Sequence, residues 1–386
     1  MQKKFMRPMV ILLIIQFLVM VGFGIVIPIL PFFVGKLGGD ALSLGIFMSA
    51  YSIMQFFFAP FWGKLSDRIG RRPVILIGLS GYGLTFLMFG MVNNLYLLIG
   101  LRALSGIVSS ATIPTAMAYL TDITEGADRS KGMGMIGATM GLGMIFGPAL
   151  GGWLGHYSFS LPFFVAGGLA LLLLPFTMAF LTESLKQPTE VIRRTTPLLT
   201  LEVLKDPLFV LFAFNFVLNF TMSMFESTFA LLSAAKVGFG PRDMGITFAI
   251  LGTFAVIVQG GLIGPLTKRF GEVKLVKAGA ILCAVGLILI ILSADHGNII
   301  FLVMSTVVFM VGNSLMVPTS SSLVTKQSSK GQGASLGIFA SFASLGRIIG
   351  PVTGGSLFRI SKDLPYVAGS ACLVLIVLVA GRKLGA

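Results

Sequence analysis

One carboxylate stands apart from the other acidic residues of this sequence. Glu226 lies well inside an apolar run, whereas the other acidic residues, 13 of the 14, fall in polar segments or at the ends of apolar runs. An ionised carboxylate in apolar surroundings is costly, so such a group faces a watery cleft, pairs with a cation or holds a proton. A site that alternates between wet and closed states can load and release a proton. We therefore hypothesise that Glu226 binds a proton.

Two arginines, Arg102 and Arg347, also fall within apolar runs. A buried arginine can balance the charge of Glu226 or bind the acid group of a ligand. The alternative for Glu226 is a structural role, with its charge satisfied by one of these arginines. The alternative for Arg102 is a permanent ion pair without a gating role. The sequence leaves both alternatives open.

The chain that must position these charges is strongly apolar. Of its 386 residues, 55% are hydrophobic and 11% are charged, and the mean hydropathy is +0.96. Because about a quarter of the residues in soluble domains are charged, this composition excludes an ordinary soluble domain. Two cysteines and two histidines are too few for a disulfide framework or a structural zinc site. We expect no metal and no cofactor.

A helix crosses a bilayer with about 20 mostly apolar residues, and the sequence contains twelve such runs. These runs are too long and too uniformly apolar for the alternating strands of a membrane β-barrel. The first run is longer than a signal-peptide core and is followed by no small-residue cleavage site, so we expect it to be retained. The predicted helices cover residues 8–33, 42–62, 74–92, 96–119, 132–155, 161–182, 207–232, 244–266, 274–292, 298–320, 332–356 and 365–382.

Lysines and arginines are distributed unevenly between the predicted loops. With the N-terminus inside, 21 of the 28 fall in cytoplasmic segments, 5 in external loops and 2 within spans. Because cytoplasmic loops carry the excess of Lys and Arg, we predict that both termini are cytoplasmic. This distribution also accounts for the net charge of +14 without nucleic-acid binding, which requires a basic face on a water-soluble body.

The chain repeats itself after about 200 residues. The glycines and the proline of the fifth span recur in the eleventh span at an offset of 203. We predict an all-α integral membrane protein of two pseudo-symmetric six-helix bundles, residues 1–182 and 207–386, joined by a cytoplasmic linker at 183–206. An even number of spans per repeat gives both bundles the same orientation, with a cleft that opens to one side at a time.

The loop after the second span carries a specific motif. Its residues 63–72, GKLSDRIGRR, fit the signature G-x-L-x-D-R-x-G-R-R and resemble the loop motif of the major facilitator superfamily. The resemblance implies that Asp67 holds the cytoplasmic side of the two halves together in one state, with Arg71 and Asp122 as charge partners. The alternative is that the basic residues only orient the loop. The implied conformational latch consists of Gly63, Asp67, Arg68, Arg71 and Asp122.

The fifth span holds a second motif of small residues at helical spacing. Small residues at i and i+4 let helices approach closely, and a proline lets the helix bend. The motif resembles one that is typical of antiporters in this superfamily, and this resemblance, rather than the spacing, implies exchange transport. Its residues are Gly143, Gly147, Pro148, Gly151 and Gly152.

Residues 22–31 resemble the first-span motif of the twelve-span drug:proton antiporter subfamily. Arg102 matches the buried arginine of the family's fourth-span motif, and Gln55 is a further likeness to the NorA- and Bmr-type multidrug exporters. Two residues depart from that pattern, because Asn313 replaces an acidic residue and Arg347 adds a charge. With Arg347 facing the cleft, neutral, zwitterionic or anionic amphipaths join the expected cargo.

The expected substrate contacts are aromatic, thioether and polar side chains, which suit a forgiving pocket for amphipaths. Helical spacing gives Glu226 a shared face with Asn219, Met222, Phe229 and Ser233. Proton coupling is expected at Glu226 together with Arg102. The predicted substrate-binding residues are Gln55, Met222, Phe225, Phe229, Asn313 and Arg347.

We expect a proton-coupled antiporter that exports amphipathic drugs or other small molecules from the cytoplasm by alternating access, with substrate competing against the proton at Glu226. The alternative is a proton-coupled or passive carrier for a specific metabolite or sugar. An enzyme is not expected, because His156 and His296 are isolated in external loops and supply no catalytic set. We expect a multi-pass monomer in the cell (inner) membrane, whose partners are the substrate, protons and the lipid bilayer, with no nucleic acid.

Overall fold

The computed structural model describes residues 3–185, 203, 206, 208–328 and 332–383. The regular structure in this part of the chain is helical, as expected where the backbone must satisfy its own hydrogen bonds in lipid. The helices are α1 (Lys3–Lys36), α2 (Ala41–Ile69), α3 (Arg71–Met91), α4 (Leu95–Ser109), α5 (Thr112–Ile123), α6 (Gly126–Tyr157), α7 (Leu161–Phe180), α8 (Phe209–Val237), α9 (Pro241–Ile257), α10 (Ile263–Phe270), α11 (Glu272–Asp295), α12 (Ile299–Gln327), α13 (Gln332–Ile360) and α14 (Leu364–Lys383).

Eleven helical segments of the described residues are long and apolar enough to cross a membrane. The predicted twelfth span falls in α14, whose described apolar part, Leu364–Val379, is shorter. The fourth span, Leu95–Ile123, consists of α4 and α5, and the eighth consists of α9 and α10 joined by a π-helical turn at Val258–Leu262. The prediction of an all-helical membrane protein is confirmed.

Contacts between helices divide the chain into two compact units. The first residues of α2 group with unit 2, and those of α9 group with unit 1. Most of the predicted linker, 183–206, lies outside the described residues. Unit 1 comprises Met1–Gly38, Ala50–Arg193 and Gly240–Ala249, and unit 2 comprises Gly39–Ser49, Arg194–Phe239 and Ile250–Ala386.

Each unit contains a pair of long helices that meet backbone to backbone. In unit 1, α6 packs against α1, and a Cβ at Gly147 would lie 2.6 Å from the carbonyl oxygen of Val21. In unit 2, α13 packs against α8, and a Cβ at Gly350 would lie 2.5 Å from the carbonyl oxygen of Phe220. Only a residue without a Cβ permits such approaches, so the repeated glycines make the same helix contact in both units.

The beginnings of α2 and α9 are also packed in an equivalent way. In unit 2, Gly45 lies against the backbone of Pro351, and in unit 1, Gly245 lies against the backbone of Pro148 and Gly152. Pro148 and Pro351 are repeat equivalents at the offset of 203, so Gly45 corresponds to Gly245. The small residues of α6 therefore serve two helix contacts, one with α1 and one with α9.

Candidate functional site

Glu226 lies near the middle of α8 in unit 2. Its side chain is partly exposed, as are those of Met222 and Asn219, which precede it by one and two helical turns. Arg347, on α13, contacts this face of α8 at Asn219. Ser233, which was expected on the same open face, is buried. The open part of the face therefore extends from Asn219 to Glu226.

One amide of α8, that of Asn219, contacts Arg347. The guanidinium donates to the side-chain oxygen of Asn219 (3.4 Å) and to the hydroxyl of Ser344 (3.2 Å). The Asn219 amide donates to the carbonyl oxygen of Asn215 (2.9 Å), and the Asn215 amide donates to the carbonyl oxygen of Phe339 (2.7 Å). Arg347 is thus oriented from α8 while it remains exposed. Sequence analysis missed Asn215, whose signal was its position one turn before Asn219.

Three of the predicted substrate contacts lie in the interior of unit 2. The rings of Phe225 and Phe229 stack with centroids 4.8 Å apart, and Phe225 also packs on Phe309 at 4.7 Å. Both rings are fully buried, and Asn313 is nearly so. These side chains build the core of unit 2 and present almost no surface to a ligand. Among the predicted contacts of unit 2, only Met222 and Arg347 have open surface.

Unit 1 contains a second charged group within a span. Arg102 on α4 is buried, and its guanidinium lies over the ring of Tyr51 at 4.4 Å from the centroid. A cation over an aromatic face is stabilised by the quadrupole of the ring. Gln55 follows Tyr51 by one turn of α2, and both side chains are partly exposed. Sequence analysis missed Tyr51, whose signal was its spacing of one turn from Gln55.

The α2–α3 corner, residues 63–72, carries the central ion pairs of the predicted latch. The guanidinium of Arg71 donates to Asp67 (2.5 Å) and Asp122 (3.1 Å), and also to the hydroxyl of Ser66 (2.7 Å). Arg71 is only 7% exposed, and its planar fork allows it to serve several acceptors at once. The structure therefore brings the three predicted charge partners together within unit 1.

A further carboxylate, Glu183, completes this corner and was missed by sequence analysis. It accepts hydrogen bonds from the backbone N–H groups of Arg71 (2.9 Å) and Arg72 (3.0 Å), the first residues of α3. An anion at a helix N-terminus satisfies free N–H groups and favours the helix dipole. Gly70, just before α3, has a φ of +105° and lies against this carboxylate. No local pattern signals Glu183, because its partners lie 111 and 112 residues earlier.

The remaining residues of the two motifs differ in their surroundings. Arg68 is exposed, and no described atom outside its own helix comes within 4 Å of the position that a Cβ at Gly63 would take. In contrast, a Cβ at Gly143 would lie 3.1 Å from the carbonyl oxygen of Phe17, and Gly151 lies directly against the backbone of Ile25. The second motif is thus a packing surface along its length, whereas Gly63 makes no close helix contact.

The His, Cys, Asp and Glu side chains of the described residues form no group of three or more that could hold a metal ion. Cys283 is buried, and its thiol donates to the carbonyl oxygen of Phe309 at 3.2 Å. Carboxylates, guanidinium groups and amides therefore carry the chemistry of the sites described above.

Comparisons with known proteins agree with this architecture. The model of the Major Facilitator Superfamily matches residues 12–351 and 238–383. The chain is 29% identical over 373 residues to Multidrug resistance protein 2 of Bacillus subtilis (strain 168), covering 95% of this chain and 92% of the relative. It is 28% identical over 368 residues to Quinolone resistance protein NorA of Staphylococcus aureus (strain COL), covering 95% and 94%.

Solved structures support the fold. The nucleoside transporter NupG superimposes with a TM-score of 0.79 at 17% identity, over 98% of this chain and 99% of that one. The human organic anion transporter MFSD10 (TETRAN) gives a TM-score of 0.69 at 23% identity, over 98% and 100%. At these identities the likeness concerns the arrangement of helices and not the cargo.

Proposed function

Because the chain belongs to the Major Facilitator Superfamily, we propose that it is a proton-coupled antiporter that exports amphipathic drugs or other small molecules by alternating access. The names of its relatives, a multidrug resistance protein and a quinolone resistance protein, support drug export. The observation that carries proton coupling is Glu226, a partly exposed carboxylate in the middle of a span, on the helix face where Arg347 contacts Asn219. The close packing of α6 supports exchange through the antiporter motif.

In this proposal, the proton and the cargo compete because both change the net charge of the site formed by Glu226 and Arg347 in unit 2. When Glu226 is ionised, its charge compensates that of Arg347, and the site tolerates a cationic or neutral cargo. When Glu226 is protonated, the charge of Arg347 is uncompensated and repels a cation. Proton binding therefore favours release of the cargo, which couples the two fluxes in opposite directions. Met222 supplies an adaptable apolar contact on the same face.

Unit 1 has a partly exposed surface of its own that suits amphipathic cargo in this proposal. Tyr51 and Gln55 offer an aromatic face and an amide on the partly exposed side of α2, and Arg102 fixes the orientation of the Tyr51 ring. Asp67 and its partners at the α2–α3 corner latch one conformational state. The protein acts as a monomer, with both termini in the cytoplasm.

The decisive experiment exchanges the coupling carboxylate for its neutral isostere. Everted membrane vesicles with an acidic lumen are loaded from outside with ethidium as a cationic probe and norfloxacin as a zwitterionic probe. We expect wild-type uptake to follow the pH gradient, and uptake by Glu226→Gln to fall to that of vesicles without the protein. The matched control is Glu272→Gln, the same change at a carboxylate that is paired with Lys326; it should keep gradient-driven uptake.

Two outcomes contradict the proposal. Full gradient-driven uptake by Glu226→Gln would remove this residue from the coupling step. Uptake by the wild type that ignores the pH gradient, with exchange of one probe only, would instead indicate a passive carrier for a specific compound. Binding of both probes to detergent-purified Glu226→Gln, measured by fluorescence, separates lost coupling from lost folding.

A further inference from the structure

One face of the fourth span is lined with polar groups from the membrane interior to the α2–α3 corner. Arg102, Ser105, Ser109, Thr112 and Thr115 follow one another at steps of three or four residues, so they share a helical face. All five side chains are buried in unit 1. The same face continues through Tyr119 to Asp122. We call the segment from Arg102 to Thr115, with the groups that face it from α1 and α3, the polar seam.

The helix is interrupted along this seam. α4 ends at Ser109 and α5 begins at Thr112, and the N–H of Ala111 donates to the carbonyl oxygen of Val108 (3.2 Å), three residues back. Pro114 explains the break, because it has no N–H to offer to the carbonyl of Ser110 and its ring crowds that group. The interruption therefore leaves backbone polarity beside the side-chain hydroxyls.

The hydroxyls of the seam find no protein partner. The side-chain oxygens of Ser105, Ser109, Thr112 and Thr115 are buried and make no hydrogen bond to any described group. Hydroxyls elsewhere in unit 1 behave differently: Thr85 and Thr177 each donate to the carbonyl oxygen four residues earlier, at 2.8 and 2.9 Å. The seam hydroxyls therefore lack the hydrogen bond to a carbonyl oxygen of their own helix that Thr85 and Thr177 make.

Groups from two other helices face the seam in the same unsatisfied state. Gln16 of α1 donates weakly to the carbonyl oxygen of Thr112 (3.5 Å), while its side-chain oxygen has no partner among the described residues. The hydroxyl of Tyr82, on α3, is also buried without such a partner and projects into the space beside Gly22. Gly78, one turn before Tyr82 on α3, packs closely against the Thr112 hydroxyl, which would lie 2.8 Å from a Cβ at that position. Six unsatisfied polar atoms therefore come from four helices of unit 1, α1, α3, α4 and α5.

We propose that the polar seam binds a file of buried water molecules that hydrates Arg102 from within unit 1. Buried waters typically bridge about three otherwise unsatisfied polar groups, and seam neighbours three or four residues apart on one face are separated by about 5–6 Å. One water, at about 2.8 Å from each hydroxyl, spans that distance. The seam thereby gives Arg102 a hydrated, polar environment inside unit 1.

Radical footprinting of the intact protein tests this directly, because radicals formed from bound water modify the side chains next to it. Tyr82 is the reporter, and Tyr366 of unit 2 is the internal control: both are at most 2% exposed, but the Tyr366 hydroxyl has a protein partner, Thr228, at 3.3 Å. We expect Tyr82 to be modified about five-fold faster than Tyr366, in proportion to the waters beside it. Equal slow modification of both rings would overturn the proposal, and this comparison needs no variant.

Variants then assign the waters to the seam. Ser109→Ala with Thr112→Val removes two of the hydroxyls, and the matched control is Thr85→Val with Thr177→Val, whose hydroxyls bond to their own helices. We expect the first pair to lower Tyr82 modification by more than about half, because the waters lose partners, and the control pair to leave it unchanged. If Ser109→Ala with Thr112→Val left Tyr82 modification unchanged, or raised the melting temperature above that of the wild type, these hydroxyls would not bind water.

Discussion

Two corners of the molecule occupy equivalent positions in the repeat but carry opposite charges. In the α2–α3 corner an arginine at the start of a helix binds acids from two other helices, whereas in the α10–α11 corner an acid at the start of a helix binds a lysine. Glu272 accepts from Lys326 (2.8 Å) and from the hydroxyl of Ser322. The first corner holds Asp67, Arg71 and Asp122, and the equivalent positions 201, 201 and 204 residues later hold Lys268, Glu272 and Lys326.

The two repeats thus have an ion pair between helices at the same position, but the positive and negative partners are exchanged. An attraction between two charges is unchanged when both signs are inverted, so each unit can join its helices with either arrangement. The surroundings differ more than the signs do. Arg71 is nearly buried with three side-chain acceptors, while Lys326 is 65% exposed and screened by solvent. The first corner should therefore contribute more to stability.

The largest effect is expected for Arg71→Ala. This change leaves Asp67 and Asp122 close together without their shared cation, and breaking such a buried group costs about 3 kcal/mol. The free energy of unfolding in mixed detergent micelles, followed by circular dichroism, measures the loss. A loss no larger than that of Lys326→Ala would contradict the ranking of the two corners.

The triple variant Asp67→Lys, Arg71→Glu, Asp122→Lys sharpens the same test, because it gives the first corner the charges of the second. We expect it to regain part of the stability lost in Arg71→Ala, since the attractions return with inverted sign. Full recovery is not expected, because Glu183 lies against the backbone of residue 71 and would repel a carboxylate there. A triple variant that is less stable than Arg71→Ala would show that sign matters at this corner.

The second effect concerns Glu183, the acceptor at the start of α3. Glu183 caps the start of α3 with two charge-assisted hydrogen bonds, whereas Gly271, which precedes α11, has no side chain with which to cap that helix. Glu183→Gln should cost about 1.5 kcal/mol in the free energy of unfolding, because neutral acceptors bind N–H groups less strongly. Glu125→Gln is the matched control, since Glu125 precedes α6 without a side-chain cap. Equal losses in the two variants would remove the capping role.

A smaller effect is expected at the second corner. Glu272→Gln keeps an acceptor for Ser322 but loses the attraction to an exposed lysine, so it should cost about 1 kcal/mol or less. Raising the salt concentration should reduce the difference from wild type, because the exposed partner is screened. Thermal melting of both proteins at low and high salt measures this, and a salt-independent difference would mean that the pair is more buried than described.

The helices themselves could be predicted, because a membrane span is a local property of composition. The repeat also predicted which glycines of α6 and α13 allow close helix approach, but it did not identify their partners, α1 and α8. It did not predict the π-helical turn at Val258–Leu262, although the signal was present. Gly45 pairs with Gly245 at an offset of 200, but Gly63 pairs with Gly264 at 201. One inserted residue lies between them, and the π-helical turn absorbs it.

The candidate sites were predicted less completely, because burial depends on neighbours that are distant in sequence. Helical spacing placed Phe229 near the face of Glu226, but its stacking on Phe225 turns it into the core. Glu183 and Asn215 were missed for the complementary reason. Each contacts a backbone group more than a hundred residues away. A single sequence carries no signal for that contact, although the spacing of Asn215 from Asn219 does place both on one helix face.

The smallest effect is expected at the N-terminal starts of α2 and α9. An aspartate caps both starts, but its position relative to the helix differs between the two repeats. Asp40 precedes α2 and accepts the backbone N–H of Ser43 (2.9 Å), whereas Asp243 reaches back from α9 to the N–H of Gly240 (2.9 Å). The hydrogen bond from Ser43, assisted by Arg359, holds the pKa of Asp40 below its ordinary value. Since the folded pKa is the lower one, this stabilisation is present above the unfolded pKa, about 3.9, and is lost as the pH falls through the folded pKa.

The variant Asp40→Asn isolates that charge, because asparagine still caps a helix. At pH 7 the wild type should be more stable by no more than about 0.5 kcal/mol, since both Asp40 and Arg359 are well exposed. The difference in free energy of unfolding should vanish as the pH is lowered below 4, where the wild-type carboxyl also becomes neutral. A stability difference that persists at low pH would assign the effect to the geometry of the cap and not to its charge. The start of α2 would then differ from the α2–α3 and α10–α11 corners, where we attribute stability to ion pairs.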